Sequence, residues 1–146
     1  GGAYLGGAYL GDANLRGAYL GDAYLRDAYL GGAYLGDANL GDANLRPIKH
    51  DLWGVLLQAR PEVAAWREAL IAGKVNGSTY SGECSCLCGT IGKARGVEGD
   101  SLPFASSNST IELFVLNVKT GDTPETNQVS KLLLEWTDEF LSLIAR

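Results

Sequence analysis

Three cysteines fall within five residues, Cys84, Cys86 and Cys88, and the chain carries a single histidine, His50. Together they supply the Cys3His donor count of a structural zinc site. The spacing C-x-C-x-C is tighter than the C-x₂₋₄-C pairs that such sites use. On a helix, where each residue turns the chain by about 100°, successive thiols in this pattern point about 200° apart and cannot all face one ion. On a strand they would share a face. A thiol at a helix N-terminus has a lowered pKa, so Cys84 or Cys86, following Gly82, could serve there as a nucleophile. It would still need a base. His50, next to Asp51 in a helical stretch, reads as a solvated surface residue. Buried, inert thiols are the plainer account of the cluster.

A second stretch with polar chemistry is GDTPETN, residues 121–127. Backbone donors at a helix start can hold an anion. The simpler reading is that Thr123, Pro124 and Glu125 only begin a helix. The sequence holds no P-loop, dinucleotide fingerprint, Ser-His-Asp set or HExxH motif. The expectation is a non-enzymatic protein with no cofactor; zinc on Cys84, Cys86, Cys88 and His50 is the alternative.

The elements that must carry these residues occupy 47–146. Pro47 ends a preceding repeat. Ile48, Leu52, Val55 and Leu56 recur at helical spacing, which predicts a helix over 48–59. Pro61 is tolerated at a helix start, and Val63, Trp66, Leu70 and Ile71 predict a second helix ending at Gly73. Residues 82–95, which hold the cysteines, fit helix or strand. Helix is favoured by the flanking Gly82 and Gly96 and by Lys93 and Arg95 in the last turn. Residues 97–110 read as loop, and IELFVLNV (111–118) as a strand. Val129, Leu132, Leu133, Trp136, Phe140, Leu143 and Ile144 form one face of a long last helix, with Thr123 as its cap. The expected result is a small, mainly helical α+β domain.

Residues 1–46 are of another kind. Ala recurs every five residues from Ala3 to Ala43, and Leu two places later, at Leu5, Leu10, Leu15, Leu20, Leu25, Leu30, Leu35, Leu40 and Leu45. A period of five fits neither a helix nor a plain strand. It fits a chain that turns a corner every five residues. Ala and Leu, two apart in an extended segment, point to one side, and the residue between them points to the other. The two residues after Leu are drawn from Gly, Asp and Arg, which suit corners. The outward residue is Tyr in six units, Tyr4, Tyr9, Tyr19, Tyr24, Tyr29 and Tyr34. Those rings either pack on one another across strands or form an aromatic binding face.

These units resemble the pentapeptide-repeat family, whose pattern is A-(N/D)-L-x-x. The resemblance implies a short right-handed quadrilateral β-helix with four units per coil and Leu as the central inward residue. Inward ladders would then be Leu5–Leu25–Leu45, Leu10–Leu30, Leu15–Leu35 and Leu20–Leu40. At roughly 4.8 Å per coil the array would stand only about 10 Å tall. Such a short stack leaves an open backbone edge, which upstream coils or a second chain would cover. The chain has no Met and opens in mid-motif at Gly1-Gly2, so the array is expected to continue upstream. The stretches VNGSTYSGECSCL (75–87) and GDTPETNQVSKLLLEW (121–136) resemble a domain found after pentapeptide repeats in phage and prophage proteins. That resemblance implies a context and no mechanism.

The whole chain carries a formal net charge of −5. Nucleic-acid backbones are bound by clustered Lys and Arg, and the repeats hold three Arg against five Asp. A nucleic-acid partner is therefore not expected. No apolar run approaches the roughly 20 residues of a membrane span, so no membrane partner is expected either. An odd, crowded set of cysteines makes a poor disulfide framework and points to a reducing, cytoplasmic setting. The leading expectation is a scaffold or protein-interaction protein of phage or prophage origin. Its partner would be another protein, or a second copy meeting the open β-helix end. The alternatives are a thiol- or zinc-dependent domain centred on Cys84–Cys88 and, through the resemblance, a DNA mimic directed at gyrase.

Overall fold

The computed structural model describes residues 45–77, 85–104 and 110–145. The β-helix expected over 3–46 lies outside the described residues except at its last two positions, Leu45 and Arg46. The same holds for the Leu ladder from Leu5 to Leu40 and for the tyrosine face.

The described part is helical. In chain order it forms α1 (Arg46–Gln58), α2 (Val63–Ala72), α3 (Leu87–Arg95), α4 (Thr110–Val115) and α5 (Gln128–Ile144), with 3₁₀ turns at Arg60–Glu62 and Gly99–Ser101. Pairing in the extended sense is limited, among the described residues, to one antiparallel bridge between Asn76 and Ser85. The mainly helical reading of 47–146 therefore holds among the described residues, where no strand forms.

α1 starts directly from the last repeat. Leu45 is its N-cap, and a proline falls in the first turn, where the missing N–H has no helical partner to lose. Ile48, Leu52, Val55, Leu56 and Ala59 then turn inward at the three- and four-residue spacing of one helix face. α2 buries Val63, Trp66, Ala69 and Leu70 and ends at Gly73, the stop its sequence predicts; Ile71, expected on the same face, is exposed.

The strand expected at 111–118 is instead α4 and its C-terminal turn. Ile111, Phe114, Val115 and Val118 are all buried. Their spacing of three, one and three is helical, so the β-branched composition gave way to a face that the core could cover. The turn after α4 passes tightly over Gly77. A Cβ there would stand 2.1 Å from the Val115 carbonyl oxygen, and the Gly77 N–H donates to Val118 O at 2.9 Å.

α5 runs across the others and lies against both α1 and α2. Two tryptophans fix its height. The Trp53 indole N–H donates to the Trp136 carbonyl at 2.9 Å. The Trp66 indole N–H donates to Thr137 Oγ1 at 3.1 Å, and that hydroxyl donates to Leu133 O at 2.7 Å. Trp66 is therefore fully buried with its one polar group satisfied, as burial of an indole requires. The helix begins at Asn127, whose side chain accepts from the Ser130 N–H at 2.9 Å. This corrects the expected Thr123 cap. The Thr123 carbonyl accepts from the N–H groups of Thr126 and Asn127, closing a turn before the helix starts.

Candidate functional site

The densest polar chemistry among the described residues lies where α3 begins. Cys86 is the N-cap of α3, with an extended backbone (φ −68°, ψ −174°), and its Sγ accepts from the Gly89 N–H at 3.3 Å. Cys88 lies two residues on, inside the first turn. Glu112, from α4, reaches across to the same helix start. Its Oε1 accepts from the Leu87 N–H at 3.1 Å and its Oε2 from the Cys88 N–H at 3.0 Å. Both thiols also bond to this carboxyl. The first N–H groups of a helix have no partner within it, so a carboxylate placed there satisfies two of them and meets the positive end of the helix dipole.

The cluster is almost sealed: Cys86 and Cys88 are each 2% exposed. Burial pushes the Glu112 carboxyl above its ordinary value, and the bonds from Cys88, Leu87 and Cys86 pull the other way without cancelling it. A carboxyl with a raised pKa next to two thiols can exchange protons with them, which a carboxylate in water cannot do efficiently.

The helix also packs closely on the turn behind it. A Cβ at Gly99 would lie 2.7 Å from the backbone of Cys88 and of Gly89, so only glycine lets that turn seat against the cysteine-bearing turn of α3. At the other end of α3, Arg95 Nε donates to Glu62 Oε1 at 2.6 Å, and its Nη2 donates to Gln58 O at 3.3 Å. Arg95 holds the Glu62 carboxyl below its ordinary value. The arginine also lies over the Phe104 ring, 5.9 Å from its centre.

The structure distributes the predicted metal ligands differently from the sequence reading. Cys84 lies outside the described residues. Cys86 and Cys88 come together, on one carboxyl. His50 is exposed on α1, with its ring 5.7 Å from that of Trp53. Among the described residues no group of three or more His, Cys, Asp and Glu side chains could hold a metal ion. In the 121–127 turn, Asp122 Oδ2 accepts from the Lys119 N–H at 2.9 Å and from Asn127 Nδ2 at 3.1 Å. The start of α5, where the sequence allowed an anion, is occupied by the Asn127 cap on the Ser130 N–H.

Two residues that position the site were not singled out by the sequence. Glu112 is one. Asp51 is the other: its Oδ2 accepts from the Ile111 N–H at 2.8 Å, so α1 caps α4 as α4 caps α3. The available signal was an acidic residue inside the apolar run IELFVLNV, since buried carboxylates need partners.

Residues 1–33 and 23–46 match the family model for pentapeptide repeats, in eight copies. This part of the chain is a repeat array, and the family implies a β-helix for it. Residues beyond 46 fall outside that match. No curated protein and no solved structure matches the chain. No described helix is long and apolar enough to cross a membrane.

Proposed function

We propose that the chain is a non-enzymatic scaffold, in which a repeat array carries a helical domain to a protein partner. The observation behind this reading is Leu45. It is the last Leu of the repeat pattern, yet it is 6% exposed and belongs to the hydrophobic core of the helical domain. Its carbonyl accepts the first two helical bonds of α1, from the Ile48 and Lys49 N–H groups, each at 3.1 Å. No linker separates repeat from helix. A tethered domain would have a polar, solvated segment here; this junction instead makes the last repeat position part of the domain's core.

The first partner to test is a second copy of the chain, because strands at the ends of the β-helix that the repeat family implies would offer unpaired N–H and C=O groups. A phage or prophage context is supported only by the resemblance of 75–87 and 121–136. Native mass spectrometry of the full chain over a concentration series tests the reading. Dimers or larger assemblies that dissociate on dilution are expected. A chain that stays monomeric at every concentration would overturn docking through the coil end.

A further inference from the structure

We propose that Cys86 and Cys88 form a dithiol–disulfide couple whose proton acceptor is the Glu112 carboxylate and whose oxidant is a small-molecule disulfide. This goes beyond the scaffold reading and does not depend on it. Three features carry it. Both thiols bond to one carboxyl, which places them on the same side despite the helical step. They can do so because Cys86 has an extended backbone and only Cys88 lies in the helix. Two positions apart at a helix start, their Cα atoms stand about 5–6 Å from each other, inside the range a disulfide spans. Finally, the Gly89 N–H is directed at Cys86 Sγ, a contact that stabilises a thiolate at a helix N-terminus.

The charge balance favours the step. When the Cys86 thiol passes its proton to the Glu112 carboxylate, one negative charge is present before and after. Burial therefore does not oppose the transfer as it would oppose creating a new ion. The Cys86 thiolate attacks one sulfur of the small disulfide, forming a mixed disulfide and releasing one small thiolate, which takes up the proton held by Glu112 and leaves as a thiol. Cys88, giving its proton to solvent as the site opens, then attacks Cys86 Sγ and releases the second. Two protein thiols and one small disulfide become one protein disulfide and two small thiols. The pair is almost fully covered, so exchange proceeds through local opening of the α3 start and is slow beside that of an exposed thiol.

The test uses the full chain with Cys84→Ser, which leaves only the proposed pair. The protein is incubated with oxidised glutathione at several pH values, quenched with an alkylating reagent, and cleaved at lysine. The peptide 75–93 then contains both remaining cysteines. The expected product has lost two hydrogens, resists alkylation, and returns to the dithiol with excess reduced glutathione. Glu112→Gln is expected to slow its formation about a hundredfold and to remove the carboxyl step from the pH profile. Should that variant fail to fold by circular dichroism, the Cys84→Ser profile carries the same test, because it must show a carboxyl titration besides that of a thiol. Thiols that stay reduced, a reaction that stops at the mixed disulfide, or a profile without the carboxyl step would overturn the proposal.

Discussion

Replacing Leu45 by Ala asks whether the last repeat position is structurally part of the helical domain. The side chain is 6% exposed and sits in the core cluster with Ile48 and Leu52. Truncating a buried Leu to Ala costs about 2–5 kcal/mol, through lost transfer energy and the cavity left behind. A domain of this size is stable by about 5–15 kcal/mol, so the loss is a large share. Urea denaturation followed by circular dichroism at the helix band reads it. With a slope of about 1–3 kcal/mol per molar urea, a loss of about 3 kcal/mol lowers the midpoint by at least about 1 M. Leu57→Ala is the control, since Leu57 is 57% exposed on the same helix and should change stability by no more than about 0.5 kcal/mol. If Leu45→Ala unfolds at the same urea concentration as Leu57→Ala, Leu45 is not a core residue. The continuous junction between repeat and helix would then be refuted.

Further perturbations test other parts of the fold. Glu112 has a raised pKa in the folded chain, so its contribution is present below the ordinary glutamate value and is lost as pH rises through the folded value. Glu62, with a lowered pKa, contributes above the ordinary value and loses its contribution as pH falls through the folded one. Thermal unfolding against pH should therefore flatten on the rising side in Glu112→Gln and on the acid side in Glu62→Gln; an unchanged profile in either counts against that assignment. Gly54→Ala should stabilise α1 by about 0.5–1 kcal/mol in urea unfolding, because a Cβ there meets no atom within 4 Å. Gly99→Ala should cost about 1–3 kcal/mol, since its Cβ would press on the Cys88 backbone at 2.7 Å. Thr137→Val removes the acceptor of the buried Trp66 indole N–H and should cost about 1–3 kcal/mol, with Thr137→Ser retaining most of the stability.

The sequence by itself determined the features that rest on local pattern. The five-residue phase of Ala and Leu identified the repeats, which the family match over 1–46 supports. The helical spacing from Ile48 to Leu56, from Val63 to Leu70 and from Val129 to Phe140 located three helices within a few residues of α1, α2 and α5. Gly73, and the pairing of Lys93 and Arg95 with Gly96, marked the ends of α2 and α3, because helix termini select residues by backbone geometry and charge that act locally.

The tertiary structure decided what depends on neighbours far along the chain. The run 111–118 fits an alternating strand in composition and a helix in the spacing of Ile111, Phe114, Val115 and Val118. The core it faces selects the helix, because that form buries all four together. The cysteines read as a possible metal set with His50, yet Cys86 and Cys88 meet Glu112, 24 or more positions away. No local period encodes that meeting. It follows from α4 lying across the start of α3, where two buried N–H groups require an acceptor and a buried carboxylate requires donors.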